Sequence, residues 1–151
     1  TYFQLFIEGH DDEIRVTFNN QIFVTDNEMD FSKKHIVVFN NNDPKWSERE
    51  EYISLWNQFT KQPAVDLGEA LAIVPTGHYT GSSYSFQAAF WYDSWESFIA
   101  NQKNLESSGI MSDDRKRMWD IGGSHNDEIT TFLGCTRSDV TTSTKIFTIA
   151  K

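Results

Sequence analysis

His78 stands between Gly77 and Tyr79, directly ahead of an aromatic run, and is the residue best suited to chemistry. A neutral imidazole takes or gives a proton near physiological pH, so general acid–base catalysis is the reaction type it would serve. An exposed loop histidine is the plainer alternative. His35 opens the apolar segment His35-Ile36-Val37-Val38-Phe39 and is the second candidate, provided it faces inward. A strand-end histidine bonded to backbone is the commoner case. His10 lies beside Asp11 and Asp12, and His125 sits between Gly122-Gly123 and Asn126-Asp127, so both are expected in turns or loops. Phenols at both ends of an apolar face can orient an aromatic or polyketide-like ligand. Tyr79, Tyr84 and Tyr92 are candidates for that role, with Phe86, Phe90, Trp95 and Trp119 as further substrate-facing aromatics. Core packing is the competing role for all of them.

Other chemistries find less support. The four histidines show no His-x-His, His-x3-His or Glu-x-x-His spacing, so no local zinc site is expected. There is no Gly-x-Ser-x-Gly elbow, and neither Gly77-x3-Gly81 nor Gly122-Gly123 has phosphate-loop spacing, so no cofactor is expected. Asp114, close to Arg115 and Arg117, reads as ordinary surface charge. Cys135 is the single cysteine; it excludes an intrachain disulfide, reads as a passive thiol and fits a reducing, cytoplasmic compartment. No charged region followed by an apolar run stands at Thr1, so no signal peptide is expected, although a removed leader is compatible with the sequence.

Composition narrows the partners. The chain has 151 residues, 38% hydrophobic and 15% aromatic, with a net charge of -9. That length fits one domain with its own core. Five Trp and twelve Phe argue against disorder. No apolar run is long enough for a membrane-spanning helix. The acidic balance disfavours nucleic acid and anionic membrane surfaces, both of which need clustered Lys and Arg.

The elements that must position these residues follow from periodicity. Residues 2–7 read as a strand and 9–12 as a turn. Ile14, Val16 and Phe18 alternate with polar residues as in a half-buried strand. Asn19-Asn20 predicts a hairpin turn into residues 21–24, followed by a loop over 25–34. Residues 35–39 form the next strand, stopped by Asn40-Asn41-Asn42-Asp43-Pro44. Ser47 and Glu50 have capping-box spacing, and Tyr52, Leu55, Trp56 and Phe59 share one helical face over 48–60. Residues 61–69, with Pro63 and Gly68, are expected to be irregular. A short strand over 70–74 is ended by Pro75-Thr76-Gly77, and 78–83 read as a loop or hairpin tip. Residues 84–92 form a strong strand with Tyr84, Phe86, Ala88, Phe90 and Tyr92 on one face. Ser94 caps a helix over 95–104 that carries Trp95, Phe98 and Ile99 inward, ahead of the breaker Ser107-Ser108-Gly109. Residues 113–119 form a helical turn, 129–133 and 145–149 are strands, and 141–144 is a turn.

The order strand, helix, strand, strand, helix, strand over about 35–133 matches the ferredoxin-like split β-α-β pattern, an α+β class with helices on one sheet face. The face through Phe86, Ala88 and Phe90 is apolar enough to need cover, such as a second copy of the sheet. Phe90-Trp91-Tyr92-Asp93-Ser94-Trp95-Glu96-Ser97-Phe98 resembles the strand-to-helix junction of dimeric α+β barrel proteins. Asp113-Asp114 is similar to the acidic position of their EthD-like branch, and residues 35–39 look like a first barrel strand. The histidine usual in that branch after the first helix is missing from Lys61-Gln62-Pro63-Ala64, and both termini extend beyond the pattern, as added edge strands or segments swapped across a dimer. The resemblance implies a homodimeric ferredoxin-like barrel acting on a small hydrophobic, aromatic or polyketide-derived molecule. Lyase, cyclase or dehydratase chemistry at His78, with Tyr84 or Tyr92 orienting the substrate, is the leading expectation. A non-catalytic ligand-binding or assembly module, and a cofactor-free or haem-dependent oxygenase, are the alternatives; fold alone does not choose the reaction. On the leading reading His78→Ala abolishes turnover in an activity assay, and retained activity removes His78 from the mechanism.

Overall fold

Along Phe86–Tyr92 every second side chain is buried: Phe86, Ala88, Phe90 and Tyr92 point one way, and Gln87, Ala89 and Trp91 the other. That alternation sets the layers of the molecule. The computed structural model describes residues 14–25, 30, 33–80, 84–107 and 112–133, without the side chains of 14, 19, 79, 80 and 104–107. The expected strands at 2–7 and 145–149, the turns at 9–12 and 141–144, His10 and Cys135 lie outside the described residues.

Among the described residues six strands make one antiparallel sheet: β1 (Ile14–Thr17), β2 (Phe23–Val24), β3 (His35–Asn42), β4 (Ala72–Thr80), β5 (Phe86–Tyr92) and β6 (His125–Phe132). The sheet runs β1-β4-β5-β3-β6, with β2 also on β4. Leaving out the N-terminal edge, this is the ferredoxin-like strand order, with β3 between β5 and β6. The helices are α1 (Arg49–Trp56), α2 (Gln62–Leu67), α3 (Trp95–Ser107) and α4 (Asp113–Ile121). Tyr52 and Trp56 of α1, Ala64 of α2, Phe98 of α3, and Met118 and Ile121 of α4 pack against Ile36, Val38, Phe86, Phe90 and Tyr92. The apolar face of β5 is therefore covered by the chain's own helices, not by a second sheet.

Phe86 is fully buried at the centre of this packing. Its ring lies 5.0 Å from Trp56, 5.4 Å from Tyr52 and 6.2 Å from Phe18. Burial of each such side chain stabilises the fold by about 1.5–3 kcal/mol.

Several local expectations change once the sheet is assembled. Asn19-Asn20 is not a hairpin turn: 19–21 form one 3-10 turn, and β1 and β2 both pair with β4 rather than with each other. The same fact explains Pro75, which does not end its strand. Its carbonyl accepts from Phe18 N at 3.1 Å, so its missing N–H faces the break between β1 and β2, where no ladder bond is needed. β4 thus continues to Thr80 and carries His78 within the strand, not in a loop. β3 extends through Asn42 and stops only at Asp43-Pro44, while β6 starts at His125.

The helices also differ in detail. No side-chain capping bond forms at Glu48, the residue entering α1, so the Ser47–Glu50 box is not made; a 3-10 turn over Trp46–Glu48 leads in instead. Residues 61–69 are largely helical, because a π-helical turn over Asn57–Lys61 widens the backbone and Pro63 falls in the first turn of α2. On α3 Phe98 and Asn101 face the sheet, whereas Trp95 and Ile99 are about half exposed. Ile99 lies about 100° round from Phe98, and Trp95 sits in the first turn. Ser112 caps α4 by accepting from Arg115 N at 3.2 Å.

Gly123 joins α4 to β6 at φ 70°, and a Cβ there would run into the backbone carbonyl of Asp43. Gly68 has nearly the same φ, 71°, but open space around it. Gly123→Ala is expected to cost about 1–3 kcal/mol in urea unfolding, and Gly68→Ala less, because only the first adds a collision to the backbone strain. Equal losses would show that the Asp43 contact yields freely.

Candidate functional site

The helix face of β3 changes character along its length. Ile36 and Val38 give way to Asn40 and Asn42, which oppose Asp127 and His125 across the β3–β6 ladder. Residues two apart on one strand and opposite each other on the next share a face, so four polar side chains form a square. They are linked in a closed ring. His125 Nδ1 lies 3.0 Å from Asn42 Oδ1, and Asn42 Nδ2 donates to Asn40 Oδ1 at 2.9 Å. Asn40 Nδ2 donates to Asp127 Oδ1 at 2.9 Å, and Asp127 Oδ2 lies 3.2 Å from His125 Nε2.

The donor directions around the ring follow from one carboxylate. Asp127 only accepts when ionised, so Asn40 must present its amide nitrogen to it and its oxygen to Asn42. Asn42 then presents its oxygen to His125. Both imidazole nitrogens consequently face acceptors, and the ring closes fully only when both carry a proton. Taking one proton away opens one bond, so the square holds a proton that can be exchanged. Trp119 stands edge-on to His125 at 5.5 Å and 88°, restricting the imidazole from the α4 side. The His125 side chain is 32% exposed and that of Asp127 49%, so solvent or a ligand reaches them.

Beside this square lies a cavity of about 210 Å³ between the sheet and α1, α3 and α4. Val38, Phe90, Trp56 and Phe59 give it apolar walls; Tyr52, Tyr92 and Asn101 add polar groups inside, and Arg115 and Trp119 border it from α4. Tyr92 Oη donates to Asn101 Oδ1 at 3.2 Å. Burial pushes the phenols of Tyr52 and Tyr92 well above the ordinary tyrosine range, and for Tyr52 the Asp127 charge adds to the effect. Both therefore act as neutral hydroxyls.

The sequence-derived candidates divide between the two sheet faces. Phe90, Tyr92 and Trp119 line the cavity. Phe86 is buried beneath it in the core, and Trp95 is half exposed against Phe98 at 5.9 Å. Tyr84 precedes β5, and its carbonyl accepts from Arg15 Nη2 at 2.7 Å. Tyr79 lies in β4, with its side chain outside the described residues. His35 and His78 are both on the face opposite the helices, at opposite ends. At about 3.3 Å per residue they stand roughly 25 Å apart along the strands and do not converge. His35 Nε2 lies 2.8 Å from the Asp30 carbonyl, with the ring stacked against Phe132 and edge-on to Trp91. His78 is half buried and its Nε2 has no hydrogen-bond partner.

His125 is in a strand, not in a loop as its glycine and asparagine neighbours imply. The usable signal was the period of two in Asn40-x-Asn42 and His125-x-Asp127. Among the described residues no three His, Cys, Asp or Glu side chains gather as a metal site, and no helix is long and apolar enough to cross a membrane.

No family model and no curated protein matches the chain. Among solved structures it is similar to a dimeric ferredoxin-like protein from an uncultured marine organism, at 9% identity and a TM-score of 0.57, over 71% of this chain and 94% of that one. The likeness supports the ferredoxin-like α+β fold.

The raised phenol values carry a pH consequence. Because Tyr52 and Tyr92 ionise less readily folded than unfolded, their contribution to stability is complete below about pH 10 and is lost as pH rises above it. In a spectrophotometric titration these two phenolates should appear only together with alkaline unfolding. Their ionisation with ordinary tyrosines in a folded chain would contradict the burial of these two phenols.

Proposed function

We propose that this chain is an enzyme that moves a proton on a small, largely apolar ring molecule held between the helices and the sheet. The observation that carries the reading is the closed ring of His125, Asn42, Asn40 and Asp127 beside an aromatic-walled cavity. As acid, the imidazolium gives its Nε2 proton to a developing oxyanion or carbanion and becomes neutral. As base, the neutral ring takes a proton back at the same nitrogen. Asn42, accepting from Nδ1–H, holds the ring plane throughout, while the bond from Nε2 to Asp127 opens as the proton passes and re-forms when it returns. Lyase, cyclase and dehydratase reactions all contain such a step, and it calls for no cofactor.

The cavity volume narrows the substrate. Pockets for drug-sized ligands span about 300–1,000 Å³, and 210 Å³ suits one ring or a small fused pair rather than an extended polyketide. A homodimeric, EthD-like barrel remains part of this reading. It is supported by the dimeric ferredoxin-like neighbour and by the Tyr92-Asp93-Ser94-Trp95 junction. The single cysteine fits a reducing, cytoplasmic setting.

The test is proton exchange. A panel of one-ring ketones and other enolisable ring compounds is incubated with the protein in D₂O, and loss of C–H signal is followed by NMR. His125→Gln, checked for folding by circular dichroism, should slow exchange by about 10²–10⁴-fold. Ligand binding with no exchange anywhere in the panel would favour the non-catalytic binding module. A second reading keeps the chemistry at His78, whose Nε2 is buried without a partner; exchange lost in His78→Ala and retained in His125→Gln would decide for it.

A further inference from the structure

Three helices bring unpartnered donors to the cavity lining. Asn101 of α3 is fully buried, its Oδ1 is taken by Tyr92, and its Nδ2 has no partner. Trp56 of α1 is almost as deeply buried, and its Nε1 also lacks a partner. Arg115 of α4 lines the same cavity with a buried, unpartnered Nε, and makes no ion pair among the described residues. Its neighbours differ: Lys116 pairs with Asp113, and Arg117 with Glu48 and Glu51. Buried donors are ordinarily satisfied. Three orphans from three helices around one cavity point to a ligand that brings the acceptors.

We infer that the cavity binds a small aromatic carboxylate, its carboxylate held by Arg115 and the Asn101 amide and its ring among the aromatic walls. A guanidinium and an amide N–H match carboxylate oxygens in geometry and charge. The His125 side offers an anion less, because any charge His125 carries is already matched by the Asp127 carboxylate 3.2 Å away. An unpaired cation retained in a chain of net charge -9 serves the same end. This inference rests on the cavity of the proposed function and adds the charge of the substrate to it.

Benzoate, benzamide and benzylamine are titrated by isothermal calorimetry, with the fluorescence of cavity-lining Trp56 and Trp119 as a second readout. Benzoate should bind at least tenfold more tightly than either neutral benzamide or cationic benzylamine. Arg115→Met should erase that preference without weakening benzamide, and Arg115→Lys should restore part of it. Equal binding of benzoate and benzamide, no benzoate binding at millimolar concentration, or an unchanged preference in Arg115→Met would each overturn the carboxylate assignment. His125→Gln separates the two claims: it should abolish proton exchange yet keep benzoate affinity. Benzoate selectivity without exchange would leave the carboxylate assignment standing and remove the acid–base reading. Exchange of neutral ring ketones without benzoate selectivity would do the reverse.

Discussion

The contact on which the rest depends is the aromatic packing around Phe86. Its ring meets Phe18 from the sheet edge and Tyr52 and Trp56 from α1, so a single residue ties the edge, the sheet and the first helix together. Large flat side chains, stacked as with Phe18 or edge-to-face as with Tyr52 and Trp56, fix relative orientation as well as excluding water. Because α1 is held there, Tyr52 and Trp56 stand as the inner wall of the cavity; without that anchor the space between sheet and helices would have no defined shape.

The cavity lies at a boundary within β3. Towards Ile36 the helix face of the strand is apolar and packs tightly; towards Asn42 it is polar. Polar side chains in that position are tolerable only if they bond one another, and the four-member ring with β6 meets that demand. Three donors from the helices that line the cavity, on Trp56, Asn101 and Arg115, have no such partners. Part of the cavity lining is thus internally satisfied, while three of its donors are not.

Much of the fold was legible because strands and helices write their period locally. Alternation gave β5, the spacing of Tyr52, Leu55, Trp56 and Phe59 gave α1, and the element order gave the ferredoxin-like sheet. Errors fell where tertiary context overrides local punctuation. Pro75 looks like a strand end until its missing donor is seen to face the break between β1 and β2, and Asn19-Asn20 looks like a hairpin until both flanks are seen on β4. Trp95 and Ile99 look like core by hydrophobicity alone, but the phase of α3 turns Asn101 inward instead.

By itself the sequence determined an acidic, aromatic-rich α+β chain with a ferredoxin-like order of elements, since composition and periodicity are properties of neighbouring residues. It also supplied three of the cavity-lining aromatics, Phe90, Tyr92 and Trp119. Tertiary structure alone decided which of the described histidines stands beside the cavity. Asn42 and His125 are 83 residues apart and meet only through the β3–β6 register, which is set by the pairing of the whole sheet. The same register sends His35 and His78 to the other face and to opposite ends, where period alone had allowed them to share a site.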